Sequence, residues 1–200
     1  MNASGGGQTF LARFLRAKKG TTAVEFGLLA LPFLGLVTAC LENALVYWQQ
    51  EILQQAIVDA GRQLYTGKFQ TANSGTTNMA TLATKFRTAI CTESNGSPRL
   101  TIFDCTTVRV SVTQAETLAG ATPVSPTSTD AKGVVTWNPQ FQSYSCAGAS
   151  AIMVIQAAVD VPAYFPLLGS SASRLSTGRR VIQAATVFKA EPYTTKSVCS

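Results

Sequence analysis

The sequence predicts an α+β protein: a long N-terminal helix, a short second helix, and a three- to four-stranded antiparallel sheet. Three observations predict it. Phe26–Leu41 is a run of sixteen uncharged residues; a helical period continues from it without a break to about Tyr65; and alternating, β-branched segments begin only after Cys105. Helices followed by strands pack as an antiparallel sheet with its helices on one face, so the sheet is expected against the outer half of the long helix.

Taken in order, MNASGGGQTFLA (1–12) is glycine-rich and polar and reads as disordered. Arg13, Arg16, Lys18 and Lys19 follow, and no acidic residue precedes Glu25. The apolar run crosses a hydrocarbon core of about 30 Å, which needs roughly 20 residues, only if Thr21–Val24 and Ala44–Trp48 are counted with it. Pro32 and Gly35 lie inside it, where a membrane helix tolerates them better than a soluble one. Four cations before the run and none soon after it predict a cytoplasmic N-terminus and an exported remainder. Beyond the run, Leu41, Leu45, Trp48 and Ile52 form an apolar stripe that Leu53, Ile57, Ala60 and Leu64 continue, slightly rotated. A helix from Thr21 to Tyr65 would be roughly 65 Å long.

Gly67 through Thr77 reads as a loop and MATLATKFRTAI (79–90) as a short amphipathic helix. Asn95-Gly96 and Pro98 punctuate a turn-rich stretch. Val108, Val110 and Val112 alternate with Arg109 and Ser111, the pattern of a half-buried strand. ATPVSPTSTDAKG reads as a proline- and serine-rich connection, VVTW as a short strand, and SAIMVIQAAVDVPAYF and RRVIQAATVFKAEPY as two longer strands. The expected division is a basic leader over 1–20, a membrane and assembly helix over 21–66, and an exported α+β domain over 67–200.

Composition narrows the function. The formal charge is +6, but without the four leader cations the sixteen basic residues become twelve against ten acidic ones. The basicity belongs to the leader, which argues against a nucleic-acid surface. Histidine is absent, which removes the commonest general base and metal ligand. Asp59, Glu93, Asp104, Glu116, Asp130 and Asp160 show no spacing that marks a catalytic pair. Neither an enzyme nor a metal or cofactor site is expected. Of five cysteines, Cys40 lies in the apolar run. Cys91, Cys105, Cys146 and Cys199 make an even set that predicts two disulfides in an oxidising compartment, with three connectivities open. Cys91–Cys105, closing the turn-rich stretch, and Cys146–Cys199, pinning the tail, are the pairs expected.

The stretch KKGTTAVEFGLLALPFLGLV (18–37) carries a resemblance. A basic leader ending in glycine, with glutamate five residues on and phenylalanine after it, resembles the processing and assembly signal of type IV prepilins. The longer AVEFGLLALPFLGLV, with its proline and following helix, is similar to the TadE-like pseudopilins of the Tad (Flp) pilus system over about residues 16–65. The resemblance implies a pilin-like architecture and cleavage by a prepilin peptidase between Gly20 and Thr21. It implies assembly through Glu25 and Phe26, the Glu25 carboxylate facing the new amine of a neighbouring subunit. The implied partners are the peptidase, other Tad pilins and pseudopilins, the inner-membrane pilus platform and membrane lipid. The implied setting is a single pass of the bacterial inner membrane with the C-terminal domain in the periplasm or in the extracellular pilus, and the implied role is pilus assembly and adherence. Thr21 departs from the aromatic that major type IV pilins favour there.

The residues have a physical reading of their own. Glycine after two lysines gives a peptidase a small, accessible scissile position. A carboxylate at the start of an apolar helix is costly near hydrocarbon, and pairing offsets part of that cost. Otherwise Glu25 serves the positive end of the helix dipole. Two rival readings of the whole chain are a membrane-anchored periplasmic binding or adaptor domain, and a lipoprotein. The second rests on VTAC (37–40), which looks like a lipobox with Cys40 as the lipidated residue.

Overall fold

A computed structural model describes residues 20–164 and 174–192. The chain divides into two compact units, one ending at Leu41 and the other beginning at Glu42. Helix α1, Thr21–Tyr65, is 45 residues long with Pro32 inside it. Between Leu41 and Ala60 the sequence has no proline or glycine and is rich in Leu, Ala, Gln and Glu, all favourable in a helix. Arg62 lies in its last turn, where a cation suits the dipole. Gly67 then turns left-handed at φ 72°, and its N–H bonds Leu64 O at 3.3 Å.

A second helix, α2 (Lys68–Ala72), falls within the stretch that reads as a loop. Its formation is a tertiary effect. Phe69 is buried with its ring edge-on to Phe86, centroids 5.5 Å apart, and Gln70 reaches Leu64 O and Ala147 O at 3.3 and 3.5 Å. Helix α3, Met79–Ile90, has the bounds the sequence predicts. Asn78 caps it by accepting from Thr81 N at 3.1 Å, and the four-residue spacing of Leu82, Phe86 and Ile90 puts all three in the core.

The second unit's main sheet has strand order β1-β4-β5, antiparallel throughout, from β1 (Arg109–Ala115), β4 (Ile152–Val161) and β5 (Arg180–Lys189). Short strands β2 (Thr127–Thr129) and β3 (Val135–Trp137) pair separately. The core joins Leu53, Ile57, Ala60 and Leu64 of α1 to α3, to the even-numbered valines Val108–Val112, and to Met153, Ile155, Ala157 and Val159 of β4. Full burial of a Leu or Ile contributes about 1.5–3 kcal/mol. Small residues let α1 approach closely: a Cβ at Gly61 would meet Phe188 at 3.3 Å and Ile155 at 3.4 Å.

The other face of the sheet is also covered, so β1 is not half-buried. Ser111 is fully buried and shares a hydrogen bond of 3.0 Å with Ser143, and the Arg109 guanidinium lies 4.4 Å over the ring of Trp137. The Gln156 amide joins this cover to β4, bonding both N and O of Val124 at 2.8 Å. Phe141, Ala158, Leu175 and Val181 form a second small core here. The proline- and serine-rich connection supplies β2, so its composition hid a strand that backbone pairing specifies.

Cys91 and Cys105 are joined, with Cα atoms 6.0 Å apart. Their loop is tied to α1 by Arg99, which bonds Asp59 at 3.0 Å and Ile90 O at 3.1 Å. Next to Cys105, Asp104 accepts from both the N–H and the hydroxyl of Thr106 at 2.8 Å, bonds that hold its carboxyl below the usual carboxylate range. Cys146 is disulfide-bonded; Cys199 lies outside the described residues. Peptide mapping without reductant should recover Cys91 joined to Cys105 and Cys146 joined to Cys199. Replacing Cys91 and Cys105 by serine should cost about 3 kcal/mol, by the chain-entropy account of a loop this size, read as a lower denaturation midpoint.

At its start, the second unit buries charge. Glu42 and Arg180 are 4% and 7% exposed, with Arg180 Nη2 3.7 Å from Glu42 Oε1. Removing one member of a buried pair costs about 3–5 kcal/mol because the other charge is stranded, whereas an apolar replacement of both is often neutral. Arg180→Met should therefore destabilise the domain strongly. Glu42→Leu together with Arg180→Met should recover most of that loss in chemical denaturation.

Candidate functional site

The candidate site is the first unit's helix. Arg13, Arg16, Lys18 and Lys19 lie outside the described residues. Gly20 is exposed at the entry to α1, and Thr21 is the first helical residue. Glu25 follows one turn later, also exposed. Among the described residues it has no hydrogen-bond or ion-pair partner. The first turn contains no acidic residue, and the dipole effect falls off within that turn, so a charge at Glu25 gains little from it.

From Val24 onward the large side chains are exposed on every side of the helix: Phe26 (73%), Leu28, Leu29, Leu31, Phe33, Leu34 and Leu36 are all exposed. A helix apolar all round is either buried in a core or set in a membrane, and none of the most apolar stretch of α1 is buried within the chain. The helix is long and apolar enough to cross a membrane, with a mean hydropathy of 2.0 over its best eighteen residues. Small residues interrupt the apolar surface, and a Cβ at Gly20, Gly27 or Gly35 would meet nothing within 4 Å. The fold of this chain therefore does not require glycine at these three positions. Cys40 is a free, exposed thiol.

The apolar stripe expected just beyond the run is turned differently in the second unit. Leu53, Ile57, Ala60 and Leu64 are buried as expected, but Leu45 and Trp48 are exposed, and Ile52 is only partly buried. The inward face is instead Glu42 and Gln49, on the backward extension of Leu53 by seven-residue and four-residue steps. Leu41 is exposed as well. Sequence reasoning followed apolar residues and so missed a buried glutamate. The signal was its register with Leu53. Tyr47 and Trp48 stand exposed near the end of the apolar run.

Most of the scattered carboxylates have local partners. Asp59 pairs with Arg99 and Asp160 with Arg179, Asp104 caps a short turn, and Asp130 accepts from Lys132 N and Val134 N within the β2–β3 hairpin. Glu93 accepts from the Asn95 side chain, and Glu116 is exposed. Among the described residues, no three of Cys, Asp and Glu gather as a metal-binding group.

No curated protein and no solved structure matches the chain. Residues 20–62, from the glycine at the helix entry through the apolar run and most of the buried stripe, match the family described as TadE-like protein, so this helix is similar to that of TadE-like proteins.

Proposed function

We propose that the chain is a minor pilin or pseudopilin of a Tad-type pilus, cut by a prepilin peptidase after Gly20 and then assembled through α1. The observation that carries this reading is the match of residues 20–62 to the TadE-like family, which begins at the proposed scissile residue. Physical support comes from an unpartnered, exposed carboxylate at the start of a helix whose apolar surface the chain itself leaves uncovered. Lipid covers that surface before assembly and neighbouring helices cover it afterwards, with Gly27 and Gly35 allowing close approach. Cleavage leaves an α-amine on Thr21, and a neighbour's Glu25 gives it a counter-charge. Incoming subunits that make this pair are favoured over those that leave a carboxylate at the edge of hydrocarbon.

The basic leader places the N-terminus in the cytoplasm, and the disulfide-bonded unit lies in the periplasm until the pilus carries it outward. Exposed Tyr47 and Trp48 suit the interfacial level where aromatic side chains anchor membrane helices. The chain's role is structural, and its partners are the peptidase, other Tad pilins and pseudopilins, and the inner-membrane platform.

Intact mass of the protein recovered from membranes should correspond to a start at Thr21. Replacing Gly20 by a bulky residue should leave the full-length precursor in the membrane; normal trimming of that variant in cells that make the peptidase would sink the prepilin reading. A mass that begins at a lipid-modified Cys40 would instead establish the lipoprotein.

Glu25→Ala should separate processing from assembly, since the carboxylate lies beyond the scissile bond. The expected result is a mature, membrane-resident protein at near-normal level that is scarce in sheared filaments, with fewer pili. Loss of the charge alone costs the helix less than the roughly 0.3–1 kcal/mol of a first-turn charge, too little to abolish it. Wild-type piliation by both Glu25→Ala and Glu25→Gln would favour an adaptor domain that never joins a filament.

A further inference from the structure

Strand β1 is an edge strand, and the segment around Ser143–Ser145 pairs with its outer side at Val112, while Gln142 lines a cavity beside Val110. Val112 donates its N–H to Ser143 O at 2.8 Å and accepts from Ser145 N at 2.7 Å, so its backbone polar groups point away from β4. The β1–β4 register is unbroken, and residues two apart in an antiparallel strand point these groups to the same side. Those of Val110 therefore also point outward. Among the described residues, neither the N–H nor the C=O of Val110 has a hydrogen-bond partner. Val110 is 5% exposed, and buried backbone groups left unpaired are rare in folded proteins.

A cavity of about 230 Å³ lies against this edge. Ala80 and Ala83 of α3 leave room on one side, Val108 and Val110 form the other, and Arg87 and Arg109 both line it. Arg87 gives one N–H to Thr106 O at 3.1 Å, and Arg109 is steadied by Trp137. Among the described residues, neither arginine has a carboxylate within ion-pair distance. An open strand edge is a template for another strand, and two arginines lining one cavity select an anion.

We infer that the edge of β1 at Val108–Val110 takes an extended acidic segment of a partner protein, which adds as a strand on the Val110 backbone and places a carboxylate in the cavity that Arg87 and Arg109 line. The backbone bonds supply affinity and the arginines supply selection, the usual division in strand addition. This docking edge is separate from α1 and stands whether or not Glu25 acts in assembly.

The test uses the full chain in detergent and three labelled peptides: a valine–glutamate repeat, a valine–lysine repeat, and the glutamate repeat N-methylated at alternate amides. The glutamate peptide should bind and slow hydrogen exchange at the Val110 amide, and the other two should not. Arg87→Glu combined with Arg109→Glu should weaken the glutamate peptide by about tenfold or more, a loss of about 1.4 kcal/mol, and should transfer binding to the lysine peptide. Should that reversed variant fail to fold, Arg87→Gln and Arg109→Gln singly must each still weaken the glutamate peptide. Equal binding of both charged peptides, indifference to N-methylation, or no binding would overturn the inference. So would a Val110 amide that already exchanges as slowly as that of Val112 in the free chain, because the chain's own residues would then fill the edge.

Discussion

The fold of the second unit depends on how closely one helix can lie on one sheet. Ala56, Ala60 and Gly61 give α1 a small-residue face, and around it Leu53, Ile57 and Leu64 fill the space that remains. Larger side chains at the small positions would hold the helix off β4 and β5 and leave voids between, and a void forfeits both the hydrophobic and the dispersion gain. Polar contacts then fix the register. The Gln54 side chain bonds Ala185 O at 3.2 Å and Glu191 N bonds Tyr65 O at 3.1 Å, so the helix is tied to β5 and to the residues just after it.

The same helix carries two kinds of surface. Residues up to Leu41 are apolar on every side, whereas from Glu42 a single face is buried and the opposite one is open. A soluble amphipathic helix would not leave Phe26, Leu29 and Phe33 uncovered, and a simple membrane anchor has no need of an uncapped glutamate within its first turns. The proposed assembly role would account for both, since such a surface has to be compatible with hydrocarbon and with other helices in turn.

The elements set by local pattern were legible in the sequence. Helix α3 announces itself through Asn78 and the four-residue spacing of Leu82, Phe86 and Ile90, and β4 and β5 through long β-branched runs. The TadE-like resemblance over residues 20–62 was legible because its pattern is local. Features that depend on distant partners were not. Glu42 is buried with Arg180 beside it, and Ser111 is buried against Ser143. Helix α2 exists because Phe69 finds Phe86, and β2 because its backbone finds β3. Periodicity treats a polar residue as a surface residue, and so it turned the stripe at residues 41–48 the wrong way.

The ties between α1 and β5 also set an order of events for a chain made from its N-terminus. The buried stripe of α1 emerges early, but the strand that covers it carries Ile182 and Ala184, separated from Leu53 and Ile57 by most of the domain. Contacts of such long sequence separation form late, because the intervening chain must first be closed into a loop. Until then the outer half of α1 keeps part of its apolar face uncovered, and the domain is finished only when β5 arrives to close the sheet.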